Sequence, residues 1–494
     1  MGCADKSLFP GLLSGAAILL AGLINLGGCT TQRVEPYSPP PPGSAMAARA
    51  TGAFYPIESA IRENHGREAS GFELLDTNED GLRWRLALID SADYSIDVQY
   101  YLWYGDAAGR IFASRLLDAA DRGVRVRVIV DDLNTLLADA TRVALRDTVV
   151  AWLDAHPNVE IRLFNPWSSR AFAGRLGESV AEMRRVNQRM HNKVMVVDNR
   201  ATIIGGRNIG DEYMGLNASF NFHDLDVLGI GPVARQASAV FDAYWNSEWV
   251  RPVSVLGLQI TPEEQSEGRQ LLMQQLERAD SLARFALTPQ SWAEELAALP
   301  ARLHIGTSRV ESDLPQGAEI DHVMLDHVNA MIAAAERELL IVNAYIIPTE
   351  RGIDRLRELD DRGVEAKILT NSLASHDVPA VNSHYKRWRK PILAAGAELY
   401  ELRHDGEMQP VVADTAPTRA KFMGLHSKAM VVDRRSVFIG SMNYDTSSAI
   451  FNTELGVFIE SEGLGAALAA LIERGIQPEN SWRVELDKGK NLTW

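Results

Sequence analysis

HNKVMVVDNRATIIGGRN, residues 191–208, sets a histidine and a lysine two apart, ahead of an apolar run that closes on a glycine pair. Side chains two apart on a strand share a face, so His191 and Lys193 point the same way while Val194, Val196 and Val197 serve a core. Alone, such a stretch reads as an ordinary strand and turn. The chain states it twice: HSKAMVVDRRSVFIGSMN, residues 426–443, repeats it at an offset of 235. His191 answers to His426, Lys193 to Lys428, Asp198 to Asp433, Asn208 to Asn443, and Gly205-Gly206 to Gly440-Ser441. A solvated strand face does not explain two copies that keep the same four polar positions.

The repetition extends outward. AADRGVRVRVIVDD (119–132) resembles ELDDRGVEAKILTN (358–371), each an amphipathic helix that ends at a glycine and yields to a strand. SIDVQYYLW (95–103) matches LLIVNAYII (339–347), NVEIRLFNP (158–166) matches GAELYELRH (396–404), and FHDLDVLGI (222–230) matches FNTELGVFI (451–459). Each half therefore reads strand, helix, strand, helix, strand, a hairpin made by the motif, a further strand, and a closing helix such as 233–248. That order predicts an α/β molecule of two pseudo-twofold-related lobes, each a mixed sheet flanked by helices, with the active site at the lobe interface. The 494 residues divide into a leader at 1–29, a tether at 30–70, a first lobe at 71–250, a connector at 251–320 and a second lobe at 321–494. The connector has no counterpart in the other half, carries a polar helical stretch, and is expected to hold no chemistry.

A formal charge of −15 argues against a non-specific nucleic-acid binder, which needs a basic surface. The two cysteines, Cys3 and Cys29, precede the globular part, so neither a disulfide nor a cysteine-based metal site holds the body together. Residues 8–28 are nearly uncharged and end in Leu26-Gly27-Gly28-Cys29, which resembles a bacterial lipobox with Cys29 as the acylated residue. The alternative is an uncleaved signal anchor, since about 20 apolar residues span a bilayer. Residues 34–53, rich in proline, alanine and glycine, read as an extended tether.

A neutral imidazole can attack phosphorus, and an imidazolium can donate a proton near neutral pH. Lysine supplies positive charge for phosphate oxygens; Asn208 and Asn443 add amide donors, and Gly206 and Ser441 let backbone approach a phosphate. One copy offers a nucleophile without a leaving-group acid, whereas two supply both, with no metal or cofactor required. Asp224 and Glu454, at equivalent places in the downstream strand, are the candidates to hold the histidines' Nδ1 protons. Asp224 is assigned to His191 and preferred over Asp226, because Leu225 and Val227 align with Leu455 and Val457. Asp198 and Asp433 count with the catalytic set as members of the repeated motif; they end their strands before a turn and are expected to organise the loop or pair with a lysine.

H-x-K-x4-D-x6-G-[GS]-x-N occurs twice without a mismatch, and in this the chain resembles the phospholipase D superfamily, the HKD enzymes. RMHNKVMVVD, IIGGRNIGDEY, FHDLDVLGIGP, ILTNSLASHDV, YKRWRKPILAAGAELYEL and FNTELGVFIES make residues 70–490 most similar to C-type bacterial cardiolipin synthases. The resemblance implies a covalent histidine intermediate and transfer of a phosphatidyl group onto phosphatidylglycerol, from a second phosphatidylglycerol or from phosphatidylethanolamine. It further implies His191 as nucleophile and His426 as acid, which the sequence alone does not rank. A single chain carries both motifs, so activity as a monomer is expected, in a periplasm-facing lipoprotein of the bacterial envelope. The alternatives are a phospholipase D hydrolase, a nucleic-acid phosphodiesterase and a non-catalytic lipid-binding lipoprotein. The cluster Tyr385-Lys386-Arg387-Trp388-Arg389-Lys390 is either a headgroup-facing patch or a solvated helix face, and Arg184, Arg185 and Arg189 are equally open. Tyr101 and Tyr345 end matching strands and are candidates to line the site.

Overall fold

The alternation read from the sequence produces, in a computed structural model of the chain, ten strands in the first half. They are β1 (Ser70–Leu75), β2 (Ser95–Tyr100), β3 (Arg125–Asp131), β4 (Val159–Phe164), β5 (Arg189–Met190), β6 (Lys193–Val197), β7 (Ala201–Gly205), β8 (Phe220–His223), β9 (Asp226–Ile230) and β10 (Val250–Pro252). Then come β11 (His304–Ser312), β12 (Leu314–Gln316) and β13 (Glu319–Asp321). The second half supplies β14 (Glu338–Asn343), β15 (Glu365–Asn371), β16 (Glu398–Leu402), β17 (Phe422–Leu425), β18 (Lys428–Val432), β19 (Ser436–Gly440), β20 (Asn452–Thr453), β21 (Leu455–Glu460), β22 (Ser481–Leu486) and β23 (Leu492–Thr493). The described residues are 42–132, 140–167, 182–317, 319–445 and 451–494. Cys29 and the rest of the leader lie outside them.

Strand pairing runs β10-β4-β3-β2-β6-β7-β9-β1-β11-β21-β19-β18-β14-β15-β16-β22-β23. The neighbours β2-β3-β4 and β14-β15-β16 are parallel, as crossover helices require, and the motif hairpins β6-β7 and β18-β19 are antiparallel. β6 and β18 sit centrally and are buried along their whole length, which is why KVMVV and KAMVV read as near-continuous apolar runs. Helices Ala107–Asp121 and Pro232–Trp245 cover the first sheet; Glu350–Asp361 and Glu462–Gly475 occupy the matching places in the second.

Two segments depart from the expected division. Residues 251–320 are no mere connector: β11 pairs with β1 through residues 304–306 and with β21 through 307–312, joining the two sheets edge to edge. Leu276, Leu282, Trp292, Leu296 and Leu299 bury into the first lobe's core, and spacing in a polar helix gave little sign of that. The described part of the 30–70 tether is also docked. Gly43 N donates to Asn246 Oδ1 (2.9 Å) and Ala45 N to Asp242 Oδ2 (2.7 Å). Phe54, Ile57 and Ile61, at helical spacing around Pro56, bury one side of a helix at Tyr55–His65. Among the described residues no helix is long and apolar enough to cross a membrane.

Candidate active site

Each motif histidine lies one step beyond a two- or four-residue strand that reaches across the lobes. β8 pairs in parallel with β17, setting His223 opposite Leu425, and β5 pairs in parallel with β20, setting Met190 opposite Thr453. The next residue on each chain extends the register: His426 N donates to His223 O (2.9 Å) and His191 N to Thr453 O (2.9 Å). Asp224 thereby faces His426 and Glu454 faces His191. His191 Nδ1–H donates to Glu454 Oε2 at 2.9 Å, and His426 Nδ1–H to Asp224 Oδ2 at 2.6 Å. Asp224 and Glu454 both meet a motif histidine, but the assignment of Asp224 to His191 is corrected: each histidine is held by the other lobe's carboxylate. With Nδ1 held as donor, Nε2 is the atom of each ring left for chemistry, a lone pair in the neutral imidazole and an N–H in the imidazolium.

Both carboxylates are fully buried, as are Lys193 and Lys428 to within 1%. Lys193 Nζ donates back to His191 O at 2.6 Å, and Lys428 Nζ likewise to His426 O. Burial pushes the His191 imidazole well below its ordinary value, and the cations of Lys193 and Lys428 and the ring of His426 push the same way. His426 is lowered by burial and Lys428, against the pull of Asp224. The two half-sites thus share one electrostatic field. Burial raises Asp224, yet His426, Lys428 and Arg207 outweigh it and hold the carboxylate below its usual range. Lys428 is brought down by burial to about 8, against Asp224 and Glu454, and Lys193 is also lowered by burial.

The motif aspartates are elsewhere. Seven residues separate Asp198 from His191, roughly 20 Å along an extended chain. Asp198 and Asn199, at φ 53° and 51°, form the primed turn that joins β6 to β7; Asp433 and Arg434 repeat it at 51° and 54°. Asp198 accepts from the N–H groups of Asp93, Tyr94 and Ser95, and Asp433 from those of Glu336, Arg337 and Glu338. Of the two expectations for them, loop organisation is what the geometry gives, so their place among the catalytic groups is withdrawn.

Gly206 and Ser441 also change role. A Cβ at Gly206 would stand 2.2 Å from Asp224 Oδ1, so the glycine makes room for the carboxylate. At the matching place Ser441 Oγ donates to Glu454 Oε2 and accepts from Leu455 N (3.0 Å). Asn208 Oδ1 accepts from Leu102 N (3.2 Å), and both asparagines are buried. Tyr101 stands edge-on to His191 at 4.9 Å, while Tyr345 lies under Lys428 Nζ at 5.9 Å. Arg189, left open by the sequence, is buried and donates to Val186 O (2.7 Å); Arg185 is tied to Glu182 and Asn165. The side chain of Arg184 lies outside the described residues.

Sequence reasoning missed several supports. Asp313 Oδ2 accepts from Glu454 N (3.0 Å), and Ser312 Oγ donates to Glu454 O (2.8 Å), both from the segment expected to hold no chemistry. Arg207 donates to Asp224 O and, through Nη1, to Asp226 Oδ2 (3.1 Å), which is how Asp226 is used. Tyr213 and Phe222 pack on the His426 ring at 5.2 and 5.0 Å. Only the position of Phe222 two residues before Asp224 could have pointed to it.

Twin imidazoles with free Nε2 atoms beside two lysines suit covalent transfer of a phosphoryl-type group. Residues 86–245 and 328–476 match the family described as "Cardiolipin synthase, PLD-like domain". The chain belongs to this family. It is therefore an enzyme of the phospholipase D superfamily. This phospholipase D-like chain is 36% identical over 437 residues to cardiolipin synthase C of Escherichia coli K12, covering 85% of this chain and 87% of the relative. It is 25% identical over 427 residues to cardiolipin synthase B of Shigella flexneri, covering 84% and 85%. The crystal structure of phosphatidylserine synthase from Haemophilus influenzae superposes with a TM-score of 0.58 at 14% identity, covering 86% of this chain and 91% of that one, which shows the shared fold.

Proposed function

We propose that this enzyme is a cardiolipin synthase-like phosphatidyltransferase, moving a phosphatidyl group from a donor phospholipid onto the glycerol headgroup of phosphatidylglycerol. The crossed histidine–carboxylate pairs carry the reading. His191, kept neutral by burial among cations, attacks the donor phosphorus through Nε2, and the bond to the headgroup oxygen breaks as His426, entering the step as imidazolium, gives that oxygen its Nε2 proton. His426 then takes the proton of the incoming hydroxyl, which attacks phosphorus and releases His191. Lys193, Lys428, Asn208 and Asn443 stabilise charge on the equatorial oxygens, so the route runs without a metal or other cofactor. One chain completes the site as a monomer, and nucleic acid is not a substrate. We further read the segment ending at Cys29 as a lipid or signal anchor that holds the enzyme to the bacterial envelope, facing the periplasm. Lipid products of wild type and His191→Ala, expressed in cells lacking their own cardiolipin synthases, test the proposal. Cardiolipin from wild type alone is expected; phosphatidic acid without cardiolipin, even at high phosphatidylglycerol, would replace transfer with hydrolysis.

A further inference from the structure

The basic aromatic run at 385–390 covers the turn between two short helices, Pro379–Tyr385 and Arg389–Ala394. Tyr385, Trp388 and Ile392 point into the second lobe's core, where Tyr385 Oη donates to Glu401 Oε1 (2.8 Å) and Arg389 Nε also donates to that oxygen. Lys386 and Arg387, in the turn, and Lys390, in the second helix, are exposed to solvent. Lys390 has Asp487 within electrostatic reach, whereas Lys386 and Arg387 have no carboxylate partner among the described residues. The loop before helix Pro379–Tyr385 exposes two apolar side chains, Leu373 at 71% and Val378 at 38%.

This surface is fastened to the catalytic pocket. Ser375 Oγ donates to Asn371 Oδ1 (2.9 Å); Asn371 exchanges hydrogen bonds with both backbone groups of Leu425, the residue before His426 (each 2.8 Å). Asp377 accepts from Tyr345 Oη (2.7 Å), whose ring lies beneath Lys428. Two exposed cations in the turn after helix Pro379–Tyr385 and exposed apolar side chains in the loop before it, on a chain of net charge −15, are the composition of a surface that seats on an anionic bilayer.

We propose that Leu373, Val378, Lys386 and Arg387 form a docking surface for an anionic phospholipid membrane, setting the mouth of the catalytic pocket against the headgroup layer. It rests on the phospholipid reading above only for its purpose; the docking itself is a matter of binding. The apolar tips enter the interfacial zone while the two cations meet lipid phosphates.

The test is hydrogen exchange of the full-length chain, followed across residues 371–390, with vesicles of pure phosphatidylcholine or of phosphatidylcholine containing phosphatidylglycerol. Phosphatidylglycerol vesicles should slow exchange in the 372–378 loop, and phosphatidylcholine vesicles should not. Each surface cation strengthens anionic-membrane binding roughly five-fold, so Lys386→Glu with Arg387→Glu should raise the lipid concentration for half-protection by about 25-fold or more. Leu373→Ser should weaken protection, and turnover of a short-chain monomeric substrate should be unchanged in all variants. Equal loop exchange with and without phosphatidylglycerol, or protection indifferent to the charge reversals, overturns the proposal. Protection with no cardiolipin formed would leave docking standing and count against the transferase reading instead.

Discussion

Glu454→Gln and Asp224→Asn look like equivalent neutralisations, yet the structure sets them apart. Glu454 Oε2 accepts from both His191 Nδ1 and Ser441 Oγ, so an amide oxygen in that place serves both donors and His191 keeps its tautomer. What is lost is the charge on the acceptor. Charged hydrogen bonds are worth about 1–2 kcal/mol more than neutral ones, or roughly tenfold in rate. Asp224 divides its work: Oδ2 accepts from His426 and Oδ1 from Leu225 N (2.7 Å). An asparagine has one acceptor for those two donors, so its NH2 must face either an N–H or the imidazole. A buried donor left opposite a donor adds about 1–3 kcal/mol, and the wrong tautomer of His426 adds to that, for a loss of roughly 10²–10⁴-fold. Rapid-quench measurement of the phosphohistidine, with steady-state turnover and lipid binding, checks both. Glu454→Gln should slow formation of the intermediate modestly, Asp224→Asn should depress turnover severely, and lipid binding should persist in each. An equal or reversed order of the two losses would refute the wiring.

Three further outcomes follow from the same contacts. Lys428, brought down to about 8, is charged below that pH, so kcat/KM on monomeric substrate should fall as pH rises through about 8. Between about 8 and the ordinary lysine range the folded chain binds fewer protons at Lys428 than the unfolded one. Lys428's contribution to stability therefore rises with pH where activity falls, and denaturation across that window separates the two. Asp198→Ala strips the acceptor from three N–H groups at a site only 2% exposed and should cost about 3 kcal/mol of stability; Asp433→Ala, at a wetter turn, should cost clearly less. Surviving Asp198→Ala protein should turn over near the wild-type rate at low temperature, and a loss of kcat without a loss of stability would restore that aspartate to the chemistry. Asp313→Asn should keep the fold by circular dichroism but lower turnover several-fold, because Oδ2 anchors the backbone of Glu454.

The repeated motif made the duplicated α/β lobes legible, because alternation and a buried central strand leave marks at periods of two and 3.6 residues. It also made His191, Lys193, His426 and Lys428 legible as a set. Asp198 and Asp433 were visible for another reason: a residue opening a primed turn must tolerate positive φ, a backbone need that resembles a catalytic one in a motif string. The supports from Ser312 and Asp313 were not visible. Ser312 ends β11 and Asp313 follows it, in what the sequence presents as an unmatched insert, and only strand pairing brings them to Glu454.

The crossed pairing was hidden for a deeper reason. Aligning the halves puts Asp224 beside His191 in the same copy, but copy membership says nothing about which backbone carries a histidine to its partner. That is decided by β5-β20 and β8-β17, pairs of two and four residues, too short to show any periodicity. Because both bridges are parallel and both run between lobes, the residue after each strand must face the residue after its partner. A histidine therefore cannot meet its carboxylate until the lobes dock. Separation of the lobes removes both Nδ1 acceptors at once, so the two half-sites are assembled by one event, and neither copy of the motif constitutes a working half without the other.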